Sequence, residues 1–178
     1  TDLPYGTTAC AWDEIIPFEP MWAEVKRVLK PRGVFVTTAS QPFTSKLVMS
    51  NAGWFKYEWV WDKVTGTDAF NAKKRPLKSH ENILVFSVNG HQYNPQMTEA
   101  NKRNMRNRQK HYFKGSDGGV YGKLCPFVTD KDEAQRYPVS VFRYSNQNAE
   151  LHKDKRLHPT QKPVALYEYL IRTYTNEG

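Results

Sequence analysis

Cysteine and long apolar runs are both scarce in this 178-residue sequence. Its two cysteines, Cys10 and Cys125, lie far apart and form no C-x-x-C pair, which argues against a zinc site or a disulfide scaffold and for a reducing compartment. No apolar run approaches the ~20 residues that span a bilayer. The first residues also lack the basic-then-apolar order of a signal peptide. We therefore expect a soluble, intracellular protein.

Acidic residues are few relative to basic ones. Lys and Arg number 26 against 18 Asp and Glu, which gives a formal charge of +8 and a pI near 9.4. Such a balance favours a polyanionic partner, although ribosomal proteins and ordinary enzymes share it. Aromatic residues make up 13% of the chain, and their rings can fill a core or stack on bases. The length suits one domain that carries an inserted subdomain.

Helical and strand patterns alternate in the first half of the chain. Pro20 suits the first turn of a helix that Pro31 and Gly33 end. A strand is predicted over 34–40, a helix over about 44–51, and two further strands starting at Tyr57 and Glu81. This order predicts an α/β sheet that ends in an antiparallel pair. The apolar residues at helical spacing in the first helix are Met21, Trp22, Val25, Val28 and Leu29.

The second half of the chain begins with a different composition. Residues 90–151 are rich in Asn, Gly, Lys and Arg and show weak periodicity, which predicts an irregular insert rather than more of the sheet. Regular structure returns at 152–178, where Pro163 opens a helix. The residues predicted to share its inward face are Leu166, Tyr167, Leu170, Ile171 and Tyr174.

Four short segments together resemble one enzyme family. They are TDLPYG at 1–6, SQPF at 40–43, KSHENILVF at 78–86 and HPTQKP at 158–163. In this order they are similar to the amino-methylating DNA methyltransferases, and specifically to the β-type arrangement of phage and restriction-modification systems. The resemblance implies an α/β fold with a partial Rossmann-like class I methyltransferase sheet. It also implies a catalytic half at 1–89, a target-recognition insert at 90–151 and a cofactor-pocket segment at 152–178.

The first motif can be interpreted as an ordinary turn, because Asp, Pro and Gly are common turn residues. The resemblance gives it catalytic roles. The Asp2 carboxylate and the Leu3 carbonyl would accept the two hydrogens of an exocyclic amine, and Pro4 would stiffen the turn. Tyr5 would stack on a base flipped from the duplex.

The motif differs from the usual family form at one position, where Leu3 replaces Pro. Since only a backbone carbonyl is needed there, we expect the site to tolerate leucine. An Asp at the head of the motif resembles the adenine-modifying members, whereas Ser is commoner in cytosine-modifying ones. Adenine N6 is thus the expected target, with cytosine N4 as the alternative.

HPTQKP is a Pro-bounded loop before a helix by composition alone. By resemblance it forms a wall of the S-adenosylmethionine pocket, with His158, Thr160, Gln161 and Lys162 as cofactor-binding residues and no metal. In KSHENILVF the zincin pattern H-E-x-x-H is absent, because Leu84 stands at the second His position. Ser79 and His80 there would line the rim of the base pocket, or serve structure only.

Basic residues cluster in two stretches, for which a solvated loop is the alternative to DNA contact. Phosphate neutralisation needs clustered cations, and Arg, Asn and Gln can read base edges. We therefore expect double-stranded DNA as the partner. The candidate DNA-binding residues are Lys73, Lys74, Arg75 and Lys78 in the first stretch and Lys102, Arg103, Arg106, Arg108 and Lys110 in the second.

The glycine-rich cofactor loop and the strand before Asp2 are both missing from the sequence. The chain is accordingly expected to be a truncated part of a longer enzyme, located in the cytoplasm of a bacterium or a phage-infected host. Alternatives are a catalytically dead DNA-binding prophage remnant and an RNA or protein methyltransferase. A homodimer and a restriction endonuclease partner are both open.

Overall fold

The computed structural model describes residues 1–99, 112–113, 127–128, 135–145, 158 and 160–176. The chain divides into two compact units, Thr1–Asn94 with Val139–Gly178, and Pro95–Pro138. In the second unit, the described strands are β4 (Thr98–Glu99) paired with β7 (Gln135–Arg136), and β5 (Tyr112–Phe113) paired with β6 (Phe127–Val128). The recognition role predicted for 90–151 stays a prediction.

The first unit contains helices and strands close to the predicted positions. They are α1 (Phe18–Val28), β1 (Phe35–Ala39), α2 (Phe43–Ser50), β2 (Phe55–Thr67), β3 (Lys78–Phe86), β8 (Val141–Arg143) and α3 (Val164–Tyr174). Helix α1 ends at Val28, before Pro31 and Gly33. No helix of the described ranges combines the length and the apolar composition that crossing a membrane requires.

Strand β3 lies at the centre of the sheet, whose order is β1-β3-β2-β8. Both β1 and β2 pair with it in antiparallel orientation, so that Thr38 and Trp59 both oppose Ile83. Strand β8 runs parallel to β2 on the outer side. The predicted α/β fold with a terminal antiparallel pair is confirmed, and Asp2 adds a parallel bridge to Thr38 of β1.

The two faces of the sheet are both covered by helices. Successive β3 side chains point to opposite faces, so Ile83 packs with α3 while Leu84 packs with α1 and α2. This arrangement makes three layers with a core on each side of the sheet. The buried residues are Trp59, Trp61, Ile83, Val85, Leu166, Leu170 and Tyr174 on the α3 side, and Trp22, Ala39, Phe43, Leu47, Leu84 and Phe86 on the other.

Two apolar residues that the helical spacing groups with buried ones are exposed instead. Val28 is 63% exposed and Ile171 is 58% exposed. In α3 the buried stripe follows Leu166, Leu170 and Tyr174 at four-residue spacing, and Ile171 lies about 100° around the helix from Leu170. Val28 and Ile171 line the same groove of about 770 Å³.

Candidate functional site

Asp2 is held at the edge of the sheet by its neighbour on β1. Its backbone bridges Thr38, and the Thr38 hydroxyl donates to Asp2 Oδ1 at 2.7 Å. The Asp2 side chain is one-third exposed. The carboxylate is thereby fixed in orientation but still accessible from solvent.

The loop that follows Asp2 wraps around a second carboxylate, that of Asp13. The amides of Tyr5 and Gly6 donate to Oδ1 at 2.7 and 3.0 Å, and those of Thr7 and Thr8 donate to Oδ2 at 2.9 and 2.7 Å. Burial raises the pKa of Asp13, but hydrogen bonds from the Thr8 hydroxyl and from the amides of Thr8, Gly6 and Thr7 outweigh it and hold the pKa at about 2. Asp13 was not predicted from the sequence, because the amides that donate to it lie five to eight residues earlier in the chain, beyond the short spacings of local side chain–backbone hydrogen bonds.

Tyr5 connects the motif to the core and to the charged groups of the site. Its ring stacks on Phe43 of the SQPF segment, with 5.3 Å between centroids and 20° between planes. Its hydroxyl lies 3.3 Å from both Asp2 Oδ1 and Glu81 Oε2. Burial, and then the charges of Glu81 and Asp2, raise the pKa of Tyr5, so the hydroxyl stays protonated and donates. One face of the ring is thus covered by Phe43, and a base could stack only on the other.

Lys162 of HPTQKP contacts Asp2 of the predicted catalytic motif directly. Its Nζ lies 2.9 Å from Asp2 Oδ2 and 3.1 Å from Oδ1. The same ammonium is 5.4 Å from the centroid of the Tyr5 ring and 3.7 Å from Glu81 Oε2. Residues 160 positions apart in the chain therefore form one ion pair at the predicted site.

Behind this pair lies a buried ion pair that the sequence interpretation did not include. Glu81 Oε1 accepts a short hydrogen bond from Lys63 Nζ, and both side chains are about nine-tenths buried. Lys63 continues the inward positions Trp59 and Trp61 of β2, and Glu81 precedes Ile83 by two residues in β3. Period-two alternation is the signal that could have identified both charges as inward-facing.

A cavity of about 360 Å³ opens beside these groups. The predicted catalytic residues and three of the four predicted cofactor residues line it. Gln161, which is half-buried in the same turn, is not among the lining residues. The lining is Asp2, Leu3, Pro4, Tyr5, Thr7, Thr8, Trp12, Asp13, His158, Thr160 and Lys162.

His158 braces the loop of this cavity. The Thr160 hydroxyl lies 3.0 Å from its Nδ1, and the Gln161 amide donates to its carbonyl at 3.1 Å. Its ring meets Trp12 edge to face at 5.2 Å. His158 thus shapes the cavity wall, whereas Ser79 and His80 of KSHENILVF are exposed and do not line the cavity.

The first basic stretch forms the tip of the β2–β3 hairpin. Lys73, Lys74 and Arg75 are exposed there, and Lys78 is half-buried. Phe70, in a single 3-10 turn at Ala69–Asn71, is fully exposed. The turn is braced by Asp68, which pairs with Arg75. The second stretch, Lys102, Arg103, Arg106, Arg108 and Lys110, lies outside the described residues.

The described part of the chain offers no cluster of metal-binding side chains. No group of three or more His, Cys, Asp or Glu side chains in those ranges could hold a metal ion. The charged groups of the site instead pair with each other.

The chain is similar to two known proteins and matches one protein family. Over 182 residues it is 27% identical to the Type II methyltransferase M.HpaI of Haemophilus parainfluenzae, covering 98% of this chain and 50% of that protein. It also aligns with the crystal structure of the M1.HpyAVI–SAM complex at 20% identity and a TM-score of 0.49, covering 98% of this chain and 64% of that one. The chain thus spans about half the length of the curated relative it matches. The N6_N4_Mtase family, described as DNA methylase, matches residues 2–178. The family predicted from the four motifs is therefore confirmed, and the chain belongs to the N6/N4 DNA methylases.

Proposed function

We propose that this chain carries the catalytic centre of an S-adenosylmethionine-dependent methyltransferase that modifies the N6 amine of adenine in duplex DNA. The observation that carries the proposal is the oriented Asp2 carboxylate, which lies with the Tyr5 ring at the wall of a polar cavity. Family membership supports the DNA substrate and the cofactor. The adenine target is supported by the Asp at the head of the motif.

The chemistry requires an amine nitrogen to become nucleophilic. The exocyclic lone pair of adenine is delocalised into the ring, so the amine attacks poorly. Asp2 would accept one N–H and the Leu3 carbonyl the other, which frees the lone pair and holds the nitrogen in position. Leu3 packs against the core on the α1 and α2 side, which supports a fixed position for that carbonyl.

The cavity beside Asp2 is compatible with the cofactor in size and chemistry. Its 360 Å³ is within the range of small-molecule sites. The Thr7, Thr8 and Thr160 hydroxyls offer polar contacts, and Trp12 offers an apolar surface. When bound, S-adenosylmethionine supplies the methyl group. Lys162 and His158 would hold and shape that pocket, and Asp2 would face the acceptor amine.

The hairpin tip is the proposed DNA contact of the first unit. Lys73, Lys74 and Arg75 present three exposed cations within five residues of the fully exposed Phe70. Cations attract phosphates, and exposed apolar side chains of architectural proteins insert between base steps. The second basic stretch, from Lys102 to Lys110, is proposed to contact DNA as well.

The location and the partner proteins are also part of the proposal. A bacterial or phage-infected cytoplasm provides both DNA and cofactor, and we propose it as the location. A homodimer and a restriction endonuclease partner remain predictions.

The test uses the complete open reading frame that contains these residues. Unmethylated genomic DNA is incubated with isotope-labelled S-adenosylmethionine, and the digested nucleosides are analysed by mass spectrometry. We expect N6-methyladenine from the parent protein and no product from Asp2→Ala, while DNA binding is unchanged. Glu14→Ala, an exposed acid of the same loop, is the matched control and should retain the parental rate.

Each alternative gives its own outcome. N4-methylcytosine would move the target to cytosine, and label in RNA or protein instead of DNA would refute the DNA substrate. Retained DNA binding with no product from the parent protein would favour a non-catalytic remnant. Full activity of Asp2→Ala would refute the mechanism.

A further inference from the structure

Four charged side chains form a continuous chain that runs from the wall of the cavity into the core. Lys63 pairs with Glu81, Glu81 lies near Lys162, and Lys162 pairs with Asp2. The side chains of Lys63, Glu81 and Lys162 are each only about one-tenth exposed. Two ammonium groups and two carboxylates balance, so the cluster is neutral as a whole.

In this arrangement the Asp2 carboxylate is already occupied. Lys162 Nζ contacts both of its oxygens at 2.9 and 3.1 Å, and the Thr38 hydroxyl contacts Oδ1 at 2.7 Å. The contact from Lys162 is the one hydrogen bond to Oδ2 among the described residues, so an amine that donates to Oδ2 shares that oxygen with the ammonium and weakens its hold on Asp2. Moving the ammonium away from every carboxylate would leave buried charge unpaired, which is costly.

We propose that Glu81 is a positioning residue that receives the Lys162 ammonium when the target amine binds to Asp2. Glu81 Oε2 lies 3.7 Å from Lys162 Nζ, so a shift of about 1 Å brings the pair to charge-assisted hydrogen-bond distance. The inference rests on the proposed function, because it assumes that Asp2 accepts an amine hydrogen.

The two carboxylate oxygens of Glu81 have different partners, which supports this role. Oε1 is held by Lys63, which fixes the side chain from behind. Oε2 points to the site, where the Tyr5 hydroxyl lies at 3.3 Å. Lys63 therefore holds Glu81 in place, and Glu81 Oε2 can accept the Lys162 ammonium when that ammonium moves away from Asp2.

Single-turnover methylation of unmethylated genomic DNA at saturating S-adenosylmethionine tests the exchange in the complete protein. Glu81→Gln removes the alternative partner of Lys162, so the ammonium stays on Asp2 and we expect the rate to fall about tenfold or more. Adding Lys162→Gln removes the retained cation. We expect the double variant to be faster than Glu81→Gln alone.

A merely structural Glu81 would not produce that reversal, since two losses of packing would give a rate equal to or below that of the single variant. That result overturns the proposal. Glu81→Gln leaves the buried Lys63 without its partner. The single and double variants are therefore also compared in a background that carries Lys63→Gln, in which the buried pair is neutral. Thermal unfolding of each variant verifies that it is folded. Glu168→Gln, an exposed acid on α3, is the control. If Asp2→Ala is active the proposed function fails, whereas an inactive Asp2→Ala without the reversal refutes only the Glu81 role.

Discussion

Replacing Asp13 by Asn should loosen the loop that carries Tyr5. The Asp13 carboxylate accepts four backbone N–H groups, two on each oxygen, from the consecutive residues Tyr5 to Thr8. Asn has the same shape but only one accepting oxygen. Whichever way the amide is oriented, two of the four N–H groups lose their acceptor.

The size of the effect follows from where those groups lie. A buried N–H without an acceptor costs about 1–3 kcal/mol. Gly6, Thr7 and Thr8 are exposed, so water replaces part of what is lost. We expect the free energy of unfolding of Asp13→Asn to fall by about 2 kcal/mol at neutral pH, since hydrogen bonds to charged groups contribute in that range.

The same contacts predict how the difference depends on pH. The pKa of Asp13 is about 2 in the folded protein against an ordinary 3.8. A depressed folded pKa stabilises the fold above the unfolded value, and this stabilisation is lost as pH falls through the folded value. The gap between parent and variant should therefore be full at pH 6 and shrink as the pH is lowered from about 4 toward 2.

Urea unfolding followed by tryptophan fluorescence, at pH 6 and at several points down to pH 2.5, measures both quantities. Glu14→Gln, one residue along the chain and exposed, serves as the control and should follow the parent at every pH. A gap below about 0.5 kcal/mol at pH 6 would mean that water satisfies the amides without Asp13. A gap of constant size down to pH 2.5 would refute the role of the charge.

Two further predictions concern the same loop and the hairpin tip. Gly6 has φ +64°, and a Cβ there would lie 2.8 Å from Ile15 Cγ1. Gly6→Ala should therefore lower the free energy of unfolding by about 1–2 kcal/mol in the same urea assay. A neutral result would show that the loop can adopt another conformation. Phe70→Ala should weaken binding of the complete protein to duplex DNA by about tenfold in fluorescence anisotropy at fixed salt, a loss of the size found for one stacked aromatic. Met49→Ala, a 76% exposed apolar residue on α2, is its control, and equal affinities of the two variants would remove Phe70 from the interface.

The order and type of the elements were predictable because they depend on local sequence. Apolar spacing and the position of proline predicted α1, α2 and α3 to within a few residues. Strand β2 proved longer than its apolar pattern, running from Phe55 to Thr67. Its last residues have no apolar alternation, and their pairing with β3 is interrupted by a register shift between the pairs Asp62–His80 and Thr67–Lys78, where Val64 has φ +71°.

The side chains of the motif were predictable, but the groups that orient them were not. Asp2 and Tyr5 stand in a recognisable sequence order. Asp13 and Glu81 act through contacts with the loop and with Lys63, which arise only after the chain has folded. A single sequence carries no signal for such partners beyond the alternation along a strand.

The position of Lys162 shows that a sequence motif can indicate where a site lies without indicating what each of its residues does. By resemblance HPTQKP is a cofactor segment, and Thr160 and His158 do line the cavity. Pro163 lies directly before α3, and Leu166 and Leu170 anchor that helix on the sheet. This packing carries the residue before Pro163 toward the end of β1, where Asp2 is held. Its ammonium therefore pairs with the carboxylate that we propose as the acceptor of an amine hydrogen. The segment proposed to bind the cofactor and the motif proposed to be catalytic are thus joined by one ion pair, and substitutions in either should alter the other.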